Sequence, residues 1–162
     1  MDQIVGISIA GLAADFDRWD DLLALIRRAF AYMDGAIDPP SSARLLTAEA
    51  LGEKAKRETG FLAIENDRIV GCIFALERVR DFYVGKLAVE PRLQGQGIGT
   101  RLMRAVEDLA RERGMDAIEL QTRVELIASH AAFARLGFRE TGRTAHEGYD
   151  RPTSITMRKV LS

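Results

Sequence analysis

The stretch Glu90-Pro91-Arg92-Leu93-Gln94-Gly95-Gln96-Gly97-Ile98-Gly99-Thr100 sets three glycines, Gly95, Gly97 and Gly99, at alternate positions. A β-rich run, Phe82 to Val89, leads into it, and an amphipathic helical pattern, Ile98 to Arg113, leads out. Glycine lets a backbone approach a ligand closely and take dihedrals that other residues avoid. The first turn of a helix carries N–H groups with no partner inside the helix, and with the macrodipole they favour an anion. No acidic residue lies between Glu90 and Glu107, whereas Arg92, Arg101 and Arg104 are basic. The stretch therefore reads as a pyrophosphate cradle between a strand and a helix.

Working outward, the helix pattern puts Ile98, Leu102, Val106 and Leu109 on one stripe and an i, i+4 pair, Glu107 and Arg111, on the other face, with Gly114 as its C-terminal cap. Ala117 to Gln121 is the next strand, and a connection of this length favours parallel pairing with Phe82–Val89. Ile127 to Leu136 is a short helix ended by Gly137, and Phe138–Gly142 and Ser154–Val160 are a closing pair of strands. On the other side of the loop, Phe61–Glu65, the turn Glu65-Asn66-Asp67-Arg68 and Ile69–Leu76 form a hairpin that continues into Phe82–Val89. Further back, Ile4–Ala10 reads as a first strand. A helix from Arg18 to Met33 follows, with Asp15 or Asp17 placed to cap it, and a second helix from Ala43 to Glu58 is interrupted at Gly52. The expected fold class is α/β (α+β): a mixed, mostly antiparallel sheet flanked by helices, with one parallel pair, in a single domain over residues 1–162.

Composition narrows the partners. Apolar and charged residues make up 47% and 29% of the chain, as in ordinary globular proteins, and the net charge is −1, so neither nucleic acid nor an anionic membrane is an expected partner. Residues 1–80 carry 10 basic and 13 acidic groups and residues 81–162 carry 13 and 11, so the weakly positive half holds the glycine loop. Cys72, the single cysteine, sits in an apolar run and reads as a buried inert thiol, which leaves no disulfide and no cysteine-based metal centre; no metal is expected. Neither a secretory leader nor an apolar run near the ~20 residues of a membrane span stands out, so the cytoplasm is the expected compartment.

Two familiar phosphate loops fail. In the dinucleotide fingerprint Thr100 stands where the third glycine belongs, and no Gly-Lys-Ser/Thr triplet of a P-loop exists. Gln94-x-x-Gly97-x-Gly99, preceded by Leu87-Ala88-Val89-Glu90-Pro91 and followed much later by Phe133-Ala134-Arg135-Leu136-Gly137-Phe138, resembles the signature of the GNAT superfamily N-acetyltransferases. The resemblance implies acetyl-CoA, or another acyl-CoA, as ligand. Backbone amides over Gln94, Gly95, Gln96, Gly97, Ile98, Gly99 and Thr100 would bind its pyrophosphate, and Leu87, Ala88 and Val89 would offer main-chain groups to the pantetheine arm. Arg92 and Arg101 are read as solvated surface arginines. A small homodimer is suggested by the resemblance alone.

The chain also departs from that pattern. Phe133 occupies a position where many members have a tyrosine that protonates the leaving thiolate, and Leu126 occupies a common asparagine position. Ser129, one helical turn before Phe133, is placed to substitute in contacting CoA, and His130 reads as a helix-surface histidine. Where members often carry an acid before this strand segment, Gly85 and Lys86 stand here. The candidates for removing the amine proton are Tyr83 first and Glu77 second, with Asp81 and Glu119 nearby. His146 and Tyr149, in the last loop, border the acceptor side by resemblance. The expected activity is acetyl transfer to a primary amine of a small molecule or peptide by direct attack in a ternary complex. The alternative is an acyl-CoA-binding sensor without turnover. Polyamine, amino acid, antibiotic and protein N-terminus all remain open as acceptors.

Overall fold

The computed structural model describes residues 6–162, so the Ile4–Val5 end of the first expected strand lies outside the described residues. Strand β1 (Ile7–Gly11) is followed by α1 (Trp19–Phe30), α2 (Ala48–Arg57), β2 (Thr59–Glu65), β3 (Arg68–Glu77) and β4 (Asp81–Val89). Then come α3 (Ile98–Glu112), β5 (Ala117–Arg123), α4 (Ile127–Arg135), β6 (Arg139–Thr144) and β7 (Ser154–Val160). The strands form one seven-stranded sheet in the order β1-β2-β3-β4-β5-β7-β6. Among the described residues only β4 and β5 pair in parallel, and β7 inserts antiparallel between β5 and β6.

Local chemistry explains most of these elements. The β2–β3 turn holds Asn66 and Asp67 at φ 48° and 65°, the positive dihedrals of a tight hairpin turn that these two residue types tolerate. On one face of the sheet α3 buries Ile98, Leu102, Met103 and Val106 against Val70, Ile73, Phe82 and Ile118. Gly71 permits that approach: a Cβ there would meet Leu102 at 3.1 Å and Ile98 at 3.2 Å. On the other face α1 and α2 bury Leu22, Leu25, Ile26 and Leu51 against Leu62, Cys72 and Phe74. β3 is covered on both sides, which is why it reads as a nearly unbroken apolar run.

Five local expectations are corrected. The first α-helix ends at Phe30, with a 3₁₀ turn over Ala31–Met33, and Arg18 precedes it without a side-chain cap from either aspartate. The second helix begins only at Ala48, because Leu46 and Thr47 are extended and the Thr47 hydroxyl accepts the Ala50 N–H. Gly52 does not interrupt it. Glu107 is not on an outer face. It is buried and takes Lys159 of β7 at 3.0 Å, with Arg111 at 3.5 Å.

The base of the β4–β5 pair is closed by charge. Asp81 accepts from Arg78 at 2.7 Å and from Arg158 at 2.7 Å, and Glu119 takes the same two guanidiniums at 3.0 Å and 3.2 Å. The hydrogen bonds from Arg78 and then Arg158 hold the Asp81 carboxyl below its ordinary range against the opposing effect of burial. A carboxyl depressed in the folded state stabilises above its unfolded pKa, and that stability is lost as pH falls through the folded value. Asp81→Asn is therefore expected to lower unfolding free energy by about 2 kcal/mol at pH 7, because both guanidiniums keep Glu119. The difference from wild type is expected to narrow as urea titrations are taken below about pH 4.

Cys72 is fully buried; burial pushes its thiol up to about 12, and the thiol donates to the Lys86 carbonyl at 3.2 Å. A disulfide reagent is expected to titrate no thiol in the native protein and one in denaturant.

Candidate active site

Strands β4 and β5 stay together only over Asp81↔Ala117, Phe82↔Ile118 and Tyr83↔Glu119, then diverge. The gap between them has α4 along it. On its far side β4 remains paired with β3, but with an irregularity: Gly85 faces Phe74 and Ala88 faces Cys72, so Lys86 and Leu87 together stand opposite Ile73. This bulge puts Lys86 at φ 53°, a left-handed conformation that is uncommon for lysine. The Glu90 N–H bonds back to the Val70 carbonyl on β3. Strand alternation then turns the backbone groups of Leu87 and Val89 the other way, into the gap.

The glycine loop follows. Gly95 and Gly97 have φ 82° and 90°, so both need the left-handed region, whereas Gly99 is already in α3 and does not. Gly97 precedes α3 without any side-chain cap, which leaves the first-turn N–H groups of the helix open. The neighbouring charges are spent elsewhere. Arg92 pairs with Glu65 at 2.7 Å, and Arg101 donates to the Ile7 carbonyl at 3.0 Å. The Gln94 side-chain amide donates to the Val89 carbonyl at 3.2 Å and ties the loop to the strand end. An anion here would be met mainly by main-chain donors.

A cleft lined by Leu87, Ala88, Val89, Gln94, Ser129 and Ala132 adjoins the loop. It continues into a cavity of about 890 Å³ beyond the fork, and Leu87, Leu126 and Ser129 line both spaces. Phe133 lines the cavity with its ring edge-to-face on Phe138, centroids 5.9 Å apart. The segments between α1 and α2 roof it with Met33, Pro39, Pro40 and Ser42.

The proposed proton-handling residues separate. Tyr83 lines the cavity, half-buried, with the Arg78 guanidinium 5.2 Å from its ring centre. Burial, followed by the charge of Glu119, raises its phenol above the ordinary value. Glu77 lies at the outer end of β3, in an ion pair with Arg113, and is not among the cavity-lining residues. Asp81 and Glu119 belong to the network at the base of the fork. His146 lines the cavity, its Nδ1 sharing a hydrogen bond with the Thr153 hydroxyl; Tyr149 instead bonds Asp38 at 2.6 Å. His130 is half-buried and its Nε2 meets the Arg123 carbonyl at 2.7 Å, which makes it a tie between α4 and β5.

Sequence reasoning missed two side chains. Glu125, in the β5–α4 turn, lines the cleft with one carboxylate oxygen buried and unpartnered while the other accepts the Asp38 N–H at 3.0 Å. Lys86, which the sequence marks only by the absence of an acid, lines the cavity at the bulge. A single residue in an apolar strand gives no periodic signal of a bulge.

The described helices include none long and apolar enough to cross a membrane. Among known proteins, the chain is similar to N-alpha-acetyltransferase 30 of Schizosaccharomyces pombe, 35% identical over 86 residues, which cover 50% of this chain and 57% of that protein. It is similar at greater length to an IAA acetyltransferase of Azospirillum brasilense, 32% identical over 145 residues covering 88% of this chain and 92% of the other. Its fold matches that of the PaiA N-acetyltransferase from Thermoplasma acidophilum, solved with coenzyme A, at a TM-score of 0.78 and 14% identity over 95% of this chain and 99% of that one. The profile of the Acetyltransferase (GNAT) family matches residues 19–138, well over half of the sequence, and this protein is a member of the GNAT family of acetyltransferases.

Proposed function

We propose that the protein transfers an acetyl group from acetyl-CoA to a primary amine of a small molecule or peptide, by direct attack in a ternary complex. The observation that carries this reading is the continuity of the site: one cleft runs from Gln94 at the start of the glycine loop, past Val89 and Leu87, into the large cavity. The similarity to an N-alpha-acetyltransferase supports an amine as acceptor. Backbone amides over Gln94–Thr100 take the pyrophosphate, and Leu87 and Val89 extend main-chain groups to the pantetheine amides as an added strand would. The thioester then lies near Leu87, Ser129 and Phe133, where cleft and cavity meet.

In the cavity the neutral acceptor amine attacks the thioester carbon. A C–N bond forms, the C–S bond breaks, the amine loses a proton and the sulfur leaves as CoA thiol. Phe133 has no proton to give. Tyr83, like any phenol, keeps its proton at neutral pH, and burial raises its pKa further, so it does not suit the role of base and is placed as a donor. His146, whose Nε2 has no hydrogen-bond partner among the described residues, is the better-placed acceptor for the amine proton.

Titration calorimetry with acetyl-CoA, followed by thiol release over an amine panel, tests the reading. Micromolar binding and amine-dependent release are expected; binding without release to any amine would leave an acyl-CoA-binding module instead. The loop supplies a second test. Ala at Gly97 is forced into a conformation costing about 1–2 kcal/mol, so Gly97→Ala is expected to weaken CoA binding about tenfold or more. Gly99→Ala adds a Cβ that meets only Val89 Cγ2, at 3.8 Å, and is expected to hold affinity within about threefold.

A further inference from the structure

The large cavity has a one-sided charge. Arg44, Lys54, Lys86 and Arg123 line it, and no aspartate or glutamate does. None of the loop residues Gln94–Thr100 lines it either, so this charge is not accounted for by the phosphates of the donor. The part of the donor that reaches the cavity, the thioester, carries no charge to neutralise.

Most of the cations already have partners. Lys54 pairs with Glu58 at 2.8 Å, Arg123 donates to the Pro39 and Pro40 carbonyls at 2.7 and 3.1 Å, and Arg44 sits 4.0 Å from Asp34. Lys86 differs: it is half-buried, held at the β4 bulge, and its ammonium has no hydrogen bond or ion pair among the described residues. Burial, then the nearby Lys54, lower its pKa, which is the response of an ammonium that lacks a counter-charge. The adjacent carboxylates do not supply one. Glu58 is engaged by Lys54, and Glu125 faces the neighbouring cleft with one oxygen held by the Asp38 N–H.

A simple cationic acceptor, such as a polyamine, would enter this cavity against like charge. An acceptor that brings its own anion would not, and the surrounding cations would favour the neutral form of its amine, the form that attacks. We propose that the acceptor is a small amine that also carries an oxyanion, a carboxylate or a phosphonate, and that Lys86 binds that group. This rests on the acetyltransferase reading of the same site.

The test compares matched acceptors with acetyl-CoA in thiol release: amino acids and ω-amino acids against their amides, and aminoalkylphosphonates against the corresponding amino alcohols. The two series separate carboxylate from phosphonate. The acid of a pair is expected to exceed its neutral partner in kcat/KM by about tenfold or more, the effect of one charge-assisted hydrogen bond. Lys86→Gln is expected to cut that ratio about tenfold, chiefly through KM, while Lys86→Arg retains it. Thermal unfolding of both variants checks that they fold, and the ratio is read within each variant. Equal turnover of acids and neutral partners by wild type, or an unchanged ratio in a folded K86Q, would overturn the proposal. Should no amine be acetylated, calorimetry of the same pairs on CoA-loaded protein decides: anionic members binding more tightly, and losing that advantage in K86Q, support it, and no such preference overturns it. Failure to bind CoA at all instead overturns the acetyltransferase reading.

Discussion

A parallel pair that hydrogen-bonds for three residues and then stops leaves a row of backbone donors and acceptors without a strand to receive them. In β4 that row begins just beyond Tyr83 and ends at Val89, and the glycine loop leads from there to the uncapped N-terminus of α3. Such an edge is costly when buried dry and useful when a ligand completes it. The fork can open only because its base is held. Arg78, Asp81, Glu119 and Arg158 cross-link β4, β5 and β7 at the point where the strands are still together. Above that point α4 lines the cleft together with β4, tied to β5 by the contact between His130 and the Arg123 carbonyl.

The bulge at Lys86 and Leu87 is the second device. Inserting a residue shifts the alternation of β4 partway along its length, so that Tyr83 and Lys86 can line one cavity while Leu87 and Val89 present backbone to the cleft. The carbonyl exposed at the bulge is satisfied from below by the Cys72 thiol, which has no reactive role at its raised pKa. A residue that composition marks as inert thus contributes to the geometry of the site, although it touches neither the cleft nor the cavity.

The sequence discloses those parts of this protein that depend on short-range chemistry. Asn66-Asp67 requires its turn, Gly97 its left-handed dihedral, and the stripe Ile98, Leu102, Val106 its buried helix face, and each is visible as a local pattern. The order of elements then allows one parallel pair among antiparallel strands, as observed. What the sequence conceals depends on tertiary position. Glu107 and Arg111 have the spacing of a surface pair, but only the fold shows Lys159 of β7 arriving to bury Glu107. Glu77 is close in sequence to Tyr83 yet lies on the outer end of the preceding strand, paired with Arg113 and away from the cavity. Glu125 and Lys86 belong to no motif, and they are distinguished only by what surrounds them.

The two halves of the site are built from different material, and this accounts for the unequal legibility. On the acetyl-transfer reading proposed above, the donor side uses main-chain groups held by glycine dihedrals and a strand edge, so its sequence requirements are few and fixed in spacing. The acceptor side uses side chains from β4, β5, α4, the last loop and the roof between α1 and α2. Those residues are far apart in sequence and meet only after the fork opens. Charge is the property that survives this scattering: four cationic side chains from four separate segments, Arg44, Lys54, Lys86 and Arg123, converge on one cavity with no acid among its lining residues. A net charge of −1 for the whole chain hides that convergence, because the compensating acids, Glu58, Glu119 and Asp81 among them, are not among the residues that line the cavity. The discriminating field is therefore a property of the fold acting on an almost neutral sequence.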